Sequence, residues 1–485
     1  MSIARHSLYN LAGAILPVAV SIVTVPLYLK TVGLDRYGVL NLCWLLVGYF
    51  GFFDFGLGRA TAQKIATLTN SDQGARNQAF WNGMSLSAGL ALIALVVAVP
   101  VSWLAFSNLK FGSPAIRNET LVALPLLIAS VPCSIVQSVL KGSLEGRRAF
   151  LAVNSIMSAG AIATGVIPLA AALIWGPTIS LLVAASLGVR VIVLAGLAMA
   201  AKRAVPVLRY QRPRRSDSRH LLRFGAWLTV TNVVGPMMVF FDRFLIGAMI
   251  GAAAVGLYAI PFNLVNQMVV LPAAIAIAMF PRLAANPNSE KLKVQAFQVA
   301  TFVMTILATC GAVLAEPFLG LWLGYATAAQ CLSVAIILIF GVWANGIAQI
   351  PFAGLQALGR TDLTAKAHLG ELVPYALSLW LGLKYFGIAG GAAAWSARAV
   401  VDLILLSLLD RVAKPVLGQA ALQGTPLILL CVILLTLPTS PIRLALVALI
   451  CLLIAAHLLW AFPKELREKI LQSLTQGLRP GHSKG

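Results

Sequence analysis

Apolar runs of about eighteen residues or more recur along this chain from one end to the other, and no motif in it constrains the fold as strongly. A helix needs about twenty residues to cross the roughly 30 Å hydrocarbon core of a bilayer. Backbone inside that core has no water to bond to, and a helix satisfies its N–H and C=O groups within one segment. The runs therefore predict an all-α, polytopic membrane protein of about fourteen transmembrane helices. They are Leu8–Leu29, Tyr37–Leu57, Phe80–Phe106, Thr120–Leu140, Ala149–Ile174, Ile179–Ala200 and Phe224–Ile250. The second half adds Leu257–Phe280, Gln295–Ala315, Ala328–Phe352, Ala367–Phe386, Gly390–Leu409, Ala420–Leu437 and Leu444–Phe462. Only 11% of the residues are charged and 60% are hydrophobic. An ordinary soluble domain carries roughly 25% charged residues, so a soluble fold is excluded.

A net charge of +21 invites a nucleic-acid reading, which the distribution of that charge removes. With both termini placed in the cytoplasm, 27 of the 36 lysines and arginines fall on cytoplasmic segments, 5 on external loops and 4 within spans. That asymmetry is the positive-inside bias of an inner-membrane protein. The densest loop, Lys202 to Arg223, suits anionic lipid headgroups. The first run has no small-residue cleavage site and leads straight into Lys30 and another run, so it is expected to be retained. The six cysteines sit in or beside apolar runs without paired spacing, which predicts neither a metal site nor a disulfide framework, and no cofactor is implied.

Six spans return a chain to its starting side, so two six-helix lobes can be related in parallel. Traces of such a duplication are present. The segment Val32-Gly33-Leu34-Asp35-Arg36-Tyr37-Gly38 matches Ile250-Gly251-Ala252-Ala253-Ala254-Val255-Gly256, Gly146-Arg147 matches Gly359-Arg360, and Arg190 matches Arg398. The predicted organisation is a first lobe over 1–200, a basic cytoplasmic linker over 201–223, a second lobe over 224–410, and two further spans with a basic tail over 411–485. Pro17 and Pro236 interrupt the first span of each lobe at corresponding places, a mark of the moving helices of a transporter, although prolines are also common in membrane helices.

Several of these segments together resemble the polysaccharide transporter family of the multidrug/oligosaccharidyl-lipid/polysaccharide exporter superfamily. They are Ser7-Leu8-Tyr9-Asn10-Leu11 with Pro26-Leu27-Tyr28-Leu29, the Val32–Gly38 segment, and Phe53-Asp54-Phe55-Gly56-Leu57-Gly58. The second lobe contributes Asp242-Arg243-Phe244-Leu245-Ile246-Gly247 and Val255-Gly256-Leu257-Tyr258. The resemblance implies fourteen spans in a 6 + 6 + 2 arrangement and a flippase for undecaprenyl-diphosphate-linked oligosaccharides. Such a protein serves O-antigen, capsule or exopolysaccharide assembly, with membrane lipids and polysaccharide polymerase or assembly proteins as partners.

An ionisable group at mid-bilayer costs about 2.5–3.5 kcal/mol on insertion scales, so those within spans face a cavity or a partner. Arg190 has no acid at i±3 or i±4 on its own helix. It either meets the diphosphate of a cargo or pairs with Asp54, Asp242, Glu371 or Asp402 from another helix. Arg398 has Asp402 one turn on, placed to neutralise it. Asp242 and Arg243 point about 100° apart, and Arg243 is the one expected to face a cavity. Asp54 reads first as a cap or surface pair at the end of its span, and Glu371 stands isolated. Asp54, Asp242, Glu371 and Asp402 are the candidates for ion or proton coupling. Asn263 with Gln267 and Asn345 with Gln349 share helix faces, and Asn232 lines the first helix of the second lobe. These amides suit sugar hydroxyls or ordinary interhelical bonds equally.

Together these residues predict alternating access through a cationic central cavity. Two other transporters stand as alternatives: a cation-coupled multidrug exporter, disfavoured by the span arginines, and a peptidoglycan-precursor flippase, whose expected arginine and acid in the first span are missing. An enzyme of the same pathway would display carboxylates or histidines in a sizeable external loop, and the longest here is about Ser107 to Glu119. No P-loop appears.

Overall fold

The computed structural model describes residues 3–68, 72–205, 210–212, 238, 241–286, 289–411 and 413–461. Thirteen α-helices and two short 3₁₀ turns account for almost all of them, with no strand among the described residues. Among the described residues ten of these helices, and the stretch Ala252–Ala285 taken as one, are long and apolar enough to cross a membrane, so the chain is a multi-pass membrane protein. Asn232 and Pro236 lie outside the described residues, as do most of the basic linker and of the run 224–250.

Two compact units divide the chain, Met1–Ile260 and Pro261–Gly485. The first holds α1 (Ile3–Phe50), α2 (Leu57–Ala66), α3 (Gln73–Ser107), α4 (Pro114–Gly146), α5 (Phe150–Trp175) and α6 (Ile179–Ala204). Helix α7 (Ala252–Val265) runs across the division. The second unit continues with α8 (Val270–Ala285), α9 (Glu290–Leu323), α10 (Tyr325–Ala357), α11 (Thr361–Leu409), α12 (Ala413–Thr436) and α13 (Pro441–Ala461).

Two of these helices are hairpins. In α1 the backbone leaves helical geometry at Gly33 (φ 80°, ψ 167°), and Tyr28 then meets Trp44 with ring centroids 6.0 Å apart. Sixteen residues of unbroken helix would separate those rings by about 24 Å. In α11 the break is Gly387 (φ 60°, ψ −146°), beyond which Gly390 packs directly on Gly382. Both breaks need positive φ, which glycine adopts without a Cβ penalty. Each hairpin therefore contains two of the predicted spans. Pro17 and Pro26 both lie within α1 at helical dihedrals, and the chain turns back at Gly33.

Helix ends follow local chemistry. Ser113 caps α4 by accepting the Ile116 N–H at 3.3 Å, with Pro114 at the first helical position, where its missing N–H costs nothing. The span expected at Ala420–Leu437 begins earlier, at Ala413, and Pro426 does not end it. The span expected at Leu257–Phe280 is divided by a 3₁₀ turn at Asn266–Val269 into α7 and α8.

In the first unit, α3, α4, α5 and α6 close around Phe80, Leu140, Leu144, Val153 and Leu197. Backbones approach closely where side chains vanish: Gly58 of α2 lies against Gly142 and Ser138 of α4. The matched segments of the duplication touch each other. A methyl on Gly38 would collide with the Ala252 carbonyl and lie 3.2 Å from the Gly256 nitrogen, and one on Gly256 would lie 3.2 Å from the Leu34 carbonyl oxygen. In the second unit α12 is docked by a buried chain of polar groups. Trp343 Nε1 donates to Thr305 Oγ1 at 2.9 Å, and Thr305 donates to Gln423 Oε1 at 2.7 Å. Arg443 at the start of α13 reaches Glu316 at 2.6 Å.

Candidate functional site

In the first unit the helices place a guanidinium among small polar residues. Trp44 Nε1, on the second arm of α1, donates to Ser186 Oγ of α6 at 3.2 Å. One turn further along α6, Arg190 donates from Nη1 to Ser134 Oγ of α4 at 3.2 Å. Cys133 adjoins it closely enough to interact electrostatically. Gly51, just beyond α1, would bring a methyl to 3.8 Å from Ser134 Cβ, and a methyl on Gly48 would meet nothing within 4 Å.

Among the described residues Arg190 has no carboxylate partner, and the four acids considered for it are placed otherwise. Asp54 Oδ1 accepts the Gly56 N–H at 2.9 Å, closing the turn after the first hairpin, as its capping position suggested. Asp242 is fully buried and accepts the Tyr258 hydroxyl at 2.8 Å and the Arg243 N–H at 2.6 Å. Arg243 itself is 3% exposed, packed inside protein. Glu371 and Asp402 have partners of their own.

Those partners revise the reading of Arg398. Its Nε donates to Glu371 Oε2 at 3.1 Å across the α11 hairpin, not to Asp402 on its own arm, and both groups are under 10% exposed. Asp402 stands 3.3 Å from His368 Nε2. Glu371 is thus not isolated, and helical spacing gave the wrong partner because it ignores the opposing arm. The sequence carried no signal that Gly387 would fold one arm against the other at this register.

The amides are dispersed. Asn263 and Gln267 are exposed on one face, and Gln267 spends its amide on the Asn263 carbonyl at 3.3 Å. Asn345 is half-buried. Gln349 lines a cavity of about 540 Å³ between α8 and α10, with Phe352 and Gln356.

Two ion pairs went unanticipated. Arg36 grips Glu119 with two bonds, at 2.9 and 2.7 Å, while Glu119 also accepts the Ile179 N–H at 3.1 Å. Lys293 meets Asp410 at 2.5 Å with both nearly inaccessible. Both pairs join residues more than eighty positions apart, beyond any local pattern.

Residues 3–287, more than half of the chain, match the family described as "Polysaccharide biosynthesis protein". The chain belongs to that family. This polysaccharide biosynthesis protein is 29% identical over 414 residues to a Shigella flexneri protein named "Putative O-antigen transporter", covering 84% of this chain and 97% of that one. Its fold is similar to that of "Lipid II flippase MurJ, inward closed conformation" (TM-score 0.71, 15% identity, 94% of this chain and 98% of the other). It is likewise similar to an inward-facing multidrug resistance MATE family transporter of the MOP superfamily (TM-score 0.67, 15% identity, 87% and 97%). These solved structures establish a shared fold along nearly the whole chain.

Proposed function

We propose that this chain is a flippase that carries an undecaprenyl-diphosphate-linked oligosaccharide from the cytoplasmic to the external leaflet of the bacterial inner membrane, for O-antigen or related surface polysaccharide assembly. It catalyses no covalent step and works by alternating access, with fourteen spans as two six-helix lobes plus an appended pair, and with both termini cytoplasmic. Polymerase and assembly proteins would take the cargo after it. Family membership and the named transporter relative support the cargo class. The observation that carries the mechanism is Arg190, a guanidinium within a span whose partner is a hydroxyl and which no carboxylate neutralises among the described residues. A group in that state favours an anion, and a guanidinium binds phosphate oxygens bidentately. The same arginine disfavours an organic cation as cargo. Arg243 and Arg398 are secondary candidates, since protein groups already surround them.

The test is deletion in the native host with recovery of lipid-linked oligosaccharide by leaflet. The expected result is intermediate trapped on the cytoplasmic side and depleted surface polysaccharide. Normal surface polysaccharide with no trapped intermediate overturns the reading. Complementation with Arg190→Ala should lower flipping about tenfold to a hundredfold, the worth of one charged hydrogen bond, with Arg190→Lys between the two. Native Cys133 offers a second handle. In a chain lacking its other cysteines, a bulky methanethiosulfonate on Cys133 should block flipping as the alanine substitution does.

A further inference from the structure

The α11 hairpin buries four ionisable side chains that do not balance. Two lie on its first arm, His368 and Glu371, and two on its second, Arg398 and Asp402. Both pairs cross between the arms. Two carboxylates face one permanent cation, so the set carries a net negative charge whenever the imidazole is neutral. Leaving a charge uncompensated in an apolar interior is costly, whereas one added proton makes the set neutral.

The hydrogen bonding leaves open places for that proton. Glu371 uses only Oε2, on Arg398, and its Oε1 accepts nothing. Asp402 Oδ1 lies 3.3 Å from His368 Nε2 yet accepts no directed hydrogen bond. An imidazolium at His368 would pair with Asp402 by charge, and that state needs the second ring proton. Of the two helices packed on the hairpin, α10 has no charged residue and presents Phe352, whose ring stacks on His368 at 6.3 Å. Its Cys331 is 21 residues from Phe352, about 30 Å of helix. Helix α12 has Lys414 at its start and Cys431, which approaches the Ile336 carbonyl instead. Within the hairpin Tyr375 follows Glu371 by one turn, and the exposed Lys366 is turned to Asp362.

Phe352 also lines the cavity of about 540 Å³ that Gln349 and Gln356 make polar. That cavity thus ends one ring away from the imidazole. A metal cation is the weaker ligand for this site, because both carboxylates already face nitrogen cations. Among the described residues no group of three His, Cys, Asp or Glu is placed to hold a metal.

We propose that His368, Glu371, Arg398 and Asp402 form a proton-binding site whose occupancy controls how tightly the two arms of the α11 hairpin are tied. With the proton bound, both crosslinks hold. When it leaves, the His368–Asp402 crosslink is lost, Asp402 is left as an unpaired buried carboxylate, and the arms are free to shift. Transport would then respond to a proton gradient through this site.

The site itself is tested without cargo, by imidazole ¹⁵N spectra of the full chain in micelles, with the His368 signal assigned by its loss in His368→Gln. The wild type should give an imidazolium signal that turns neutral as the pH is raised. In Asp402→Asn the charged fraction near pH 6 should fall about tenfold relative to the neutral one. A neutral signal throughout in the wild type, or an unchanged ratio in Asp402→Asn, overturns the proposal.

Coupling is tested in proteoliposomes with an undecaprenyl-diphosphate probe bearing one fluorescent sugar, quenched from outside by dithionite. This arm rests on the flippase reading. The ratio of flipping rates with and without an imposed pH gradient should be several-fold in the wild type and in Lys366→Ala, and should fall to one in His368→Gln and Asp402→Asn. A ratio that stays several-fold in both variants overturns the coupling. If the wild type moves no probe at all, the flippase reading fails, and the spectra still decide the proton site.

Discussion

Arg190 and Lys293 are both cations held by helices, yet what surrounds them differs, and so should the result of removing each. Lys293 is 6% exposed and its partner Asp410 is 1% exposed, so Asp410→Ala would leave an ammonium buried with no counter-charge. Breaking a buried pair from one side costs about 3–5 kcal/mol, and the variant should unfold several degrees lower by scanning fluorimetry in detergent. Arg190 has only a hydroxyl to lose. Arg190→Ala removes a desolvated charge, so its unfolding temperature should equal or exceed that of the wild type while transport falls. That dissociation marks a functional arginine. Arg190 was legible as a span cation and Lys293 was not singled out, and the partners of neither could be read. Arg398 shows why: i,i+4 spacing nominated Asp402, and the opposing arm of the hairpin supplied Glu371 at 3.1 Å instead.

At the scale of elements, two glycines decide more than any proline. Gly33 and Gly387 hold positive φ at the tips of the two hairpins. A branched residue there would cost about 1–2 kcal/mol in backbone conformation alone. Gly387→Val should therefore lower thermal stability by several degrees and Gly387→Asn no less, because ψ −146° lies outside the left-handed helical region that asparagine tolerates. Space is not the issue at either tip, since nothing lies within 4 Å of the place a methyl would take. At Gly38 the opposite holds. Its conformation is ordinary but the Ala252 carbonyl occupies the place of a side chain, so Gly38→Val should fail through crowding and Gly38→Asn should rescue nothing. The duplicated turn was readable as a repeat in the sequence. That its two copies pack glycine against glycine was not, because a repeat states likeness and not adjacency.

Across the whole molecule, charge distribution gives the orientation its physical basis. Lysines and arginines resist translocation, so the segments that hold 27 of them should stay inside. Alkaline phosphatase fused after Ser113 should be active, and fused after Gln211 inactive; the reverse pattern would invert the topology. The appended pair belongs energetically to the second unit. Gln423 is 2% exposed and takes the hydroxyl of Thr305, which in turn serves Trp343. Gln423→Leu should strand that hydroxyl at a cost of about 1–3 kcal/mol, read as a lower unfolding temperature.

The all-helical, multi-pass fold class and the positions of most described spans followed from sequence alone, because each depends on residue type summed over some twenty neighbours in a medium that offers no hydrogen bonds. Family membership was equally within its reach, since the motifs are contiguous. The tertiary structure alone decided which ions meet: Arg36 with Glu119, Lys293 with Asp410, His368 with Asp402, and Arg190 with no acid among the described residues. Electrostatic pairing falls off over a few ångströms, and which side chains come that close is fixed by helix rotation and hairpin register, quantities to which no local stretch of sequence is sensitive.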